Sequence, residues 1–195
     1  MSPRSEEAFQ KIRDRSRGTI LRAAMEQFSE KGYLKSSMNE VAKRAEVSKG
    51  LLYNYFPSKE ELLYSIFEMA MEEMDQMLRD APSGGPRTRL IGLFENFFND
   101  LEQNPGFWRL FTTLAVQDHG FDKIKQMMAD KIREYYRILE ELFETLGYSD
   151  PAGEAKLVAA LFDGIGIQYL ALKEEYPLQA VRQHIMKKYG NDAQL

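Results

Sequence analysis

The stretch Ser37-Met38-Asn39-Glu40-Val41-Ala42-Lys43-Arg44-Ala45-Glu46-Val47-Ser48-Lys49-Gly50-Leu51-Leu52-Tyr53-Asn54-Tyr55-Phe56 decides how this chain is read. Ser37 and Glu40 stand at capping-box spacing, so a short helix opens at 38 with Val41, Ala42 and Ala45 on its buried side. A tight turn follows, and Ser48 can cap a second short helix. Val47 and Leu52 fall where two short helices must share a core at a steep angle, and the small Ala42 and Ala45 let them approach. This spacing predicts a helix-turn-helix, the unit whose second helix lies in the major groove of DNA.

With Leu52 and Phe56 turned inward, Lys49, Gly50, Tyr53, Asn54 and Tyr55 fall on the outside or the edge of that helix. Lys49 can donate to guanine O6 and N7 or to phosphate, and Asn54 has the donor and acceptor for an adenine edge. Tyrosine hydroxyls suit phosphates, which position without specifying. Gly50 lets backbone approach DNA closely. Lys59 stands at the start of the next helix, where positive charge and free N–H groups suit a phosphate.

Outward from this stretch the period stays helical, and no strand alternation is visible. The first helix carries Ile12, Ile20, Leu21, Ala24, Met25 and Phe28 and stops at Lys31-Gly32. Ser58 to Glu61 reads as a capping box opening a helix to about Arg79. Breaks at 81–86, 104–106, 119–120, 147–151 and 176–177 then delimit helices near 87–103, 106–117, 121–146 and 151–173, with a last helix from Pro177. The expectation is an all-α chain of about nine helices, an N-terminal helix-turn-helix head (residues 1–57) on a larger helical body (58–195) for ligand binding and dimerisation.

Composition narrows the function classes. No cysteine is present, which removes disulfides, thiolate metal sites and a Cys nucleophile. No apolar run approaches the ~20 residues of a membrane span, and the charged first residues lack a signal-peptide core, so the expectation is a cytoplasmic protein without a membrane partner. The net charge of −4 hides a split: residues 1–59 carry 12 Lys and Arg against 7 Asp and Glu, a local +5, leaving 14 against 23, or −9, for 60–195. A basic head on an acidic body fits a protein that meets phosphate at one end. His119 and His184 are isolated, and no nucleophile–base pair or metal set is present, so neither an enzyme, a metal site nor a cofactor is expected. Gly164-Ile165-Gly166 lacks the strand and third glycine of a nucleotide loop and reads as close approach within a helix. A helical ligand-binding protein with a purely structural helix pair stays open as the alternative; the outward Lys49, Tyr53, Tyr55 and Lys59 argue against it.

The run from Gly32 to Leu63, above all Leu52-Tyr53-Asn54-Tyr55-Phe56-Pro57-Ser58-Lys59-Glu60-Glu61-Leu62-Leu63, resembles the N-terminal domain of TetR-family regulators. The resemblance covers about the first 65 residues. It implies a homodimer on a near-palindromic double-stranded operator, with an effector pocket in the body. By it, Ser37, Met38 and Asn39 open the second helix against the DNA backbone. Residues 48–55 (Ser48, Lys49, Gly50, Leu51, Tyr53, Asn54 and Tyr55 among them) form the recognition helix, and Lys59 contacts phosphate. Met38 stands where threonine is usual, and Glu46 where the turn usually has glycine, which predicts a left-handed residue with a small backbone cost.

In the body, aromatic and Met residues at helical spacing suggest an adaptable apolar cavity. The candidate lining is Phe67, Met71, Phe94, Phe98, Trp108, Phe111, Tyr135, Phe162 and Tyr169, for a small hydrophobic or aromatic effector. The candidate dimer face is Leu161, Ile165 and Leu172 on the eighth helix with Val181, Ile185 and Tyr189 on the ninth. The implied activity is ligand-responsive repression.

Overall fold

Local capping chemistry sets most helix ends. The computed structural model describes residues 3–79, 84–117 and 121–190. Among them are nine helices and no strand: α1 (Pro3–Lys31), α2 (Met38–Arg44), α3 (Lys49–Tyr55), α4 (Lys59–Arg79), α5 (Pro86–Gln103), α6 (Pro105–Ala115), α7 (Asp122–Thr145), α8 (Pro151–Leu172) and α9 (Leu178–Gly190). The breaks expected at 81–83 and at His119-Gly120 lie outside the described residues.

Gly32, left-handed at φ 81°, stops α1 and donates its N–H to Phe28 O at 3.0 Å. Ser58 Oγ accepts from Glu61 N–H at 3.0 Å and opens α4. Asp150 caps α8 by accepting from Gly153 N–H at 3.0 Å, with Pro151 at the first helical position. α6 ends at Ala115, short of the expected 117. α8 gives way to a 3-10 turn over Lys173–Glu175, with Lys173 at positive φ.

The chain folds as two compact units, Met1–Met71 and Glu72–Leu195, and α4 contributes to both. In the first unit, Ile20, Leu21, Phe28, Val41, Leu52, Phe56 and the α4 residues Leu62, Leu63, Ile66 and Phe67 are all nearly or fully buried. In the second, α7 and α8 pack most extensively on one another, and α5 packs on α7 and α9. Its core gathers Phe94, Phe98, Leu101, Phe143, Val158, Ile165, Ile185 and Tyr189. Each such ring or branched side chain stabilises by about 1.5–3 kcal/mol on burial. An exposed pair such as Arg133–Asp130 at 2.6 Å is screened by water and adds little, so apolar packing dominates.

One expectation about hydropathy is corrected. Pro151–Glu175 is long and apolar enough to cross a membrane by length and composition, at a mean hydropathy of 1.4. Glu154, Lys156 and Asp163 interrupt the run, which hides it from a search for unbroken apolar sequence. Only 22% of that window is buried, so the protomer's own core does not account for its apolar character. The close approach expected at Gly164 and Gly166 is absent, because a Cβ on either would meet nothing within 4 Å.

Candidate nucleic-acid interface and effector cavity

The head's two short helices are held by their own caps. Ser37 Oγ accepts from Glu40 N–H at 3.3 Å while Glu40 Oε2 accepts from Ser37 N–H at 2.9 Å, completing the expected box. Lys31 Nζ sits 2.8 Å from the other Glu40 oxygen. Hydrogen bonds from Lys31 and then Ser37 hold the Glu40 carboxyl down at about 2, against an ordinary 4.5. Arg44 ties α2 back to Glu26 and Glu30 of α1.

At the end of α2, Glu46 N–H donates to Lys43 O at 3.2 Å and Val47 N–H to Ala42 O at 3.0 Å, a Schellman pair. The left-handed residue this needs is Glu46, at φ 55°, as its place in the turn predicts. The same motif closes α7 with Gly147 at φ 82°, where no Cβ resists it.

Ser48 then caps α3, accepting from Leu51 N–H at 3.1 Å. Leu52 and Phe56 are buried, which turns Lys49, Gly50, Leu51, Tyr53 and Asn54 outward, with Tyr55 half-buried at the edge. Lys49 Nζ lies 5.8 Å from the Tyr53 ring centroid, so the two form one polar patch. A Cβ at Gly50 would meet nothing within 4 Å, so no neighbour in the protein demands glycine there. Asn39 and Ser37 are exposed on the α2 side of the same unit.

Two candidates are recast. Met38 is 7% exposed, so its side chain is part of the head core and not a contact surface. Lys59 Nζ donates to Tyr33 O and Ser36 O, each at 2.9 Å, and rests 4.3 Å from the Tyr33 ring centroid. It pins the loop before α2 and keeps one of its three donors. Nothing in local sequence announces that use, because both acceptors are backbone carbonyls more than twenty residues away.

The body holds a partly open cavity of about 90 Å³ lined by Met74, Leu78, Leu93, Phe94, Asn96, Phe97, Asp100, Trp108, Tyr135, Leu139 and Phe162. Phe94, Trp108, Tyr135 and Phe162 are candidates it brings together. Phe97 lies stacked on Phe162 at 4.3 Å and edge-on to Trp108 at 5.5 Å. Asp100 is the charge in this wall: its carboxylate accepts from Trp108 Nε1 at 2.8 Å and Asn104 Nδ2 at 2.6 Å. Burial first, then the charges of Asp75, Glu134 and Asp100, push the Tyr135 hydroxyl well above its ordinary value.

The other lining candidates fall elsewhere. Phe98 is core behind Phe162, Phe111 packs on Phe107 and Trp108, and Phe67 and Met71 are buried in the first unit. Tyr169 lines a separate, open groove of about 520 Å³ with Glu102, Arg109, Lys173 and Tyr176. Of the dimer candidates, Leu161 and Leu172 are exposed and Val181 is half-buried. Ile165, Ile185 and Tyr189 are buried within the protomer, Tyr189 against Phe94 and with its hydroxyl donating to Glu154 at 2.7 Å. Leu157 and Ile167, exposed on α8, escape a reading of the sequence because helical period does not say which flank a neighbour covers. His184 is exposed, and His119 lies outside the described residues.

Comparison with known proteins agrees with this geometry. Residues 20–66 match the model described as "Bacterial regulatory proteins, tetR family", and residues 86–188 match "BetI-type transcriptional repressor, C-terminal". The HTH-type transcriptional activator FasR of Mycolicibacterium smegmatis is 37% identical over 50% of this chain and 46% of its own length. The HTH-type transcriptional regulator BetI of Yersinia pestis is 26% identical over 84% of this chain and 85% of its own. The chain spans about half the length, or less, of the first curated relatives it matches. In fold, it is similar to the MbdR regulator from Azoarcus sp. CIB, with a TM-score of 0.74 and 21% identity over 92% of this chain and all of that one. Two family models in the order head then body, on a helix-turn-helix whose caps and buried side are those described above, lead to one assignment: the chain belongs to the tetR family of bacterial regulatory proteins.

Proposed function

We propose that this DNA-binding transcription regulator is a homodimeric repressor, released from a near-palindromic operator by a small apolar or aromatic effector. The observation that carries the reading is the face of α3: Lys49, Gly50, Tyr53 and Asn54 stand clear of the fold while Leu52 and Phe56 fasten the helix beneath them. Lys49 and Asn54 are the base-reading side chains in this proposal. Ser37, Asn39, Ser48, Leu51, Tyr53 and Tyr55 position the helix against the backbone, and Gly50 leaves room for it. Residues 1–57 carry the DNA-reading helices, with the first turns of α4 packed in their unit, and the remainder to 195 is the effector and dimer domain.

The effector reading rests on the aromatic cavity. At about 90 Å³ it is well below the ~300–1,000 Å³ of pockets that hold drug-sized ligands, so an effector must open it. That requirement supplies the switch. A ligand binding only a widened body shifts the population by its differential affinity for the two states, and with it the spacing of two recognition helices that must sit ~34–36 Å apart. Asp100 has hydrogen-bond donors but no cation beside it among the described residues. An effector's polar end there is therefore uncharged or cationic, since a carboxylate would face a like charge.

The dimer reading rests on α8. Leu157, Leu161, Ile167 and Leu172 are each 41–52% exposed on a helix whose apolar character its own protomer leaves uncovered. Covering such a face with a second copy follows the two-fold rule for soluble oligomers.

The test is selection of genomic DNA by the purified full chain, followed by gel shift on the recovered site. Enrichment of a two-fold-symmetric site supports the reading, and no enriched site sinks it. The single Trp108 then reports effectors: an opened cavity changes its emission, and a true effector also releases the DNA.

A further inference from the structure

We propose that the part of α1 that precedes the family match, residues 8–17, is a second DNA-binding element, a basic helical flank seated on the phosphate ridge beside the groove that α3 reads. The proposal rests on DNA reading by α3.

α1 begins at Pro3, whereas the matched family domain begins at residue 20. Its turns over residues 8–17 contribute little to the core: residues 8–15 are all exposed, and among the described side chains the first fully buried is Ile20. They do carry charge. Lys11, Arg13, Arg15 and Arg17 stand against one acid, Asp14, whose carboxylate already accepts from Gln10 Nε2 at 2.9 Å. None of the four cations has an ion-pair partner among the described residues.

Position gives this charge a use. The Arg13 guanidinium lies 6.0 Å from the Tyr55 ring centroid, and that of Arg17 lies 5.5 Å from the Phe56 ring. These stacks hold the flank against the C-terminal end of α3. A recognition helix ~10–12 Å across fills a major groove ~12 Å wide, so what packs beside it stands over the bordering backbone. Lys11 and Arg15, four apart, share the opposite, open side of α1, so the flank is cationic on two sides. Cations with no ion-pair partner among the described residues, next to a helix that must meet DNA, have phosphate as their natural counter-charge. The exposed Phe9 and Ile12 offer the competing use, docking of another protein, which needs none of these charges.

The experiment measures operator binding by the full chain across salt for the native sequence, for K11Q/R15Q, for R13Q/R17Q and for the charge-keeping K11R/R15K. Glutamine holds a helix about as well as lysine or arginine, and helix content by circular dichroism checks that α1 stays intact. Each Gln double variant is expected to flatten the log–log salt slope by about 0.9 for each phosphate it leaves unneutralised, up to about 1.8. Affinity should drop by a similar factor on operator and on unrelated DNA, while K11R/R15K behaves as the native chain. An unchanged slope and affinity in both Gln variants overturns the flank while leaving α3 reading intact. Failure of the native chain to prefer any sequence overturns the α3 reading, and the flank with it.

Discussion

α3 and α8 each present a face that their own protomer leaves uncovered, and the two faces differ in kind. On α3 the open side is Lys49, Gly50, Tyr53 and Asn54, all able to donate, accept or make room. On α8 it is Leu157, Leu161, Ile167 and Leu172, with only Asp163 charged among them. Water tolerates the first, whereas the second leaves large apolar side chains on the surface. The difference teaches that an uncovered face states its partner's chemistry: polyanion for α3 and, on the proposed dimer, another apolar surface for α8.

The strongest way to break that contrast is to charge α8. If α8 builds the proposed dimer, L157E/L161E should give a monomer by light scattering. It should also weaken operator binding about 10²–10⁴-fold, because two heads no longer bind as one. Retention of a dimer would show that α8 faces something else. Next in size, Lys49→Ala should cost about 1–3 kcal/mol of discrimination between operator and mismatched site, read by competition gel shift. Tyr53→Phe removes one hydroxyl, so it should weaken binding by about 1 kcal/mol on all sequences alike.

Acid sharpens the contrast from the side of the scaffold. Because folding depresses the Glu40 carboxyl from 4.5 to about 2, its stabilisation of α2 is present in full above about pH 4.5. It fades as pH falls toward 2. Chemical denaturation across that window should show this loss in the native chain and not in Glu40→Gln. The smallest effect is expected at the turn that aims α3. Glu46→Gly relieves a left-handed backbone at φ 55° but loosens the unfolded chain, so the head should gain less than about 1 kcal/mol by thermal melt.

Much of the head is legible in sequence because its determinants are local. Ser37, Glu40, Ser48 and Leu52 act within one or two turns, and the caps and the inward side follow from their spacing alone. What sequence hides depends on distant chain. Lys59 has the place and charge of a phosphate ligand, yet two carbonyls of the α1–α2 loop claim it. Met38 occupies a position that reads as surface and is core. In the body the ambiguity is deeper, since Ile165, Ile185 and Tyr189 have the period of an interface as much as of a core. Burial in the body core decides it, with Phe94, Phe143 and Glu154 closed on Tyr189. The cavity wall likewise mixes α4, α5, α6, α7 and α8, so Asn96, Phe97 and Asp100 acquire their place from packing that no local pattern encodes.

The central claim is that the open face of α3 reads the major groove, twice, across one dimer. Protection of guanine N7 from methylation on the selected operator tests it most directly. The account predicts two protected major-groove patches about one helical turn (~34–36 Å) apart, with a guanine in each losing protection in Lys49→Ala. A site with no N7 protection, or protection that Lys49→Ala leaves untouched at every guanine, would contradict it.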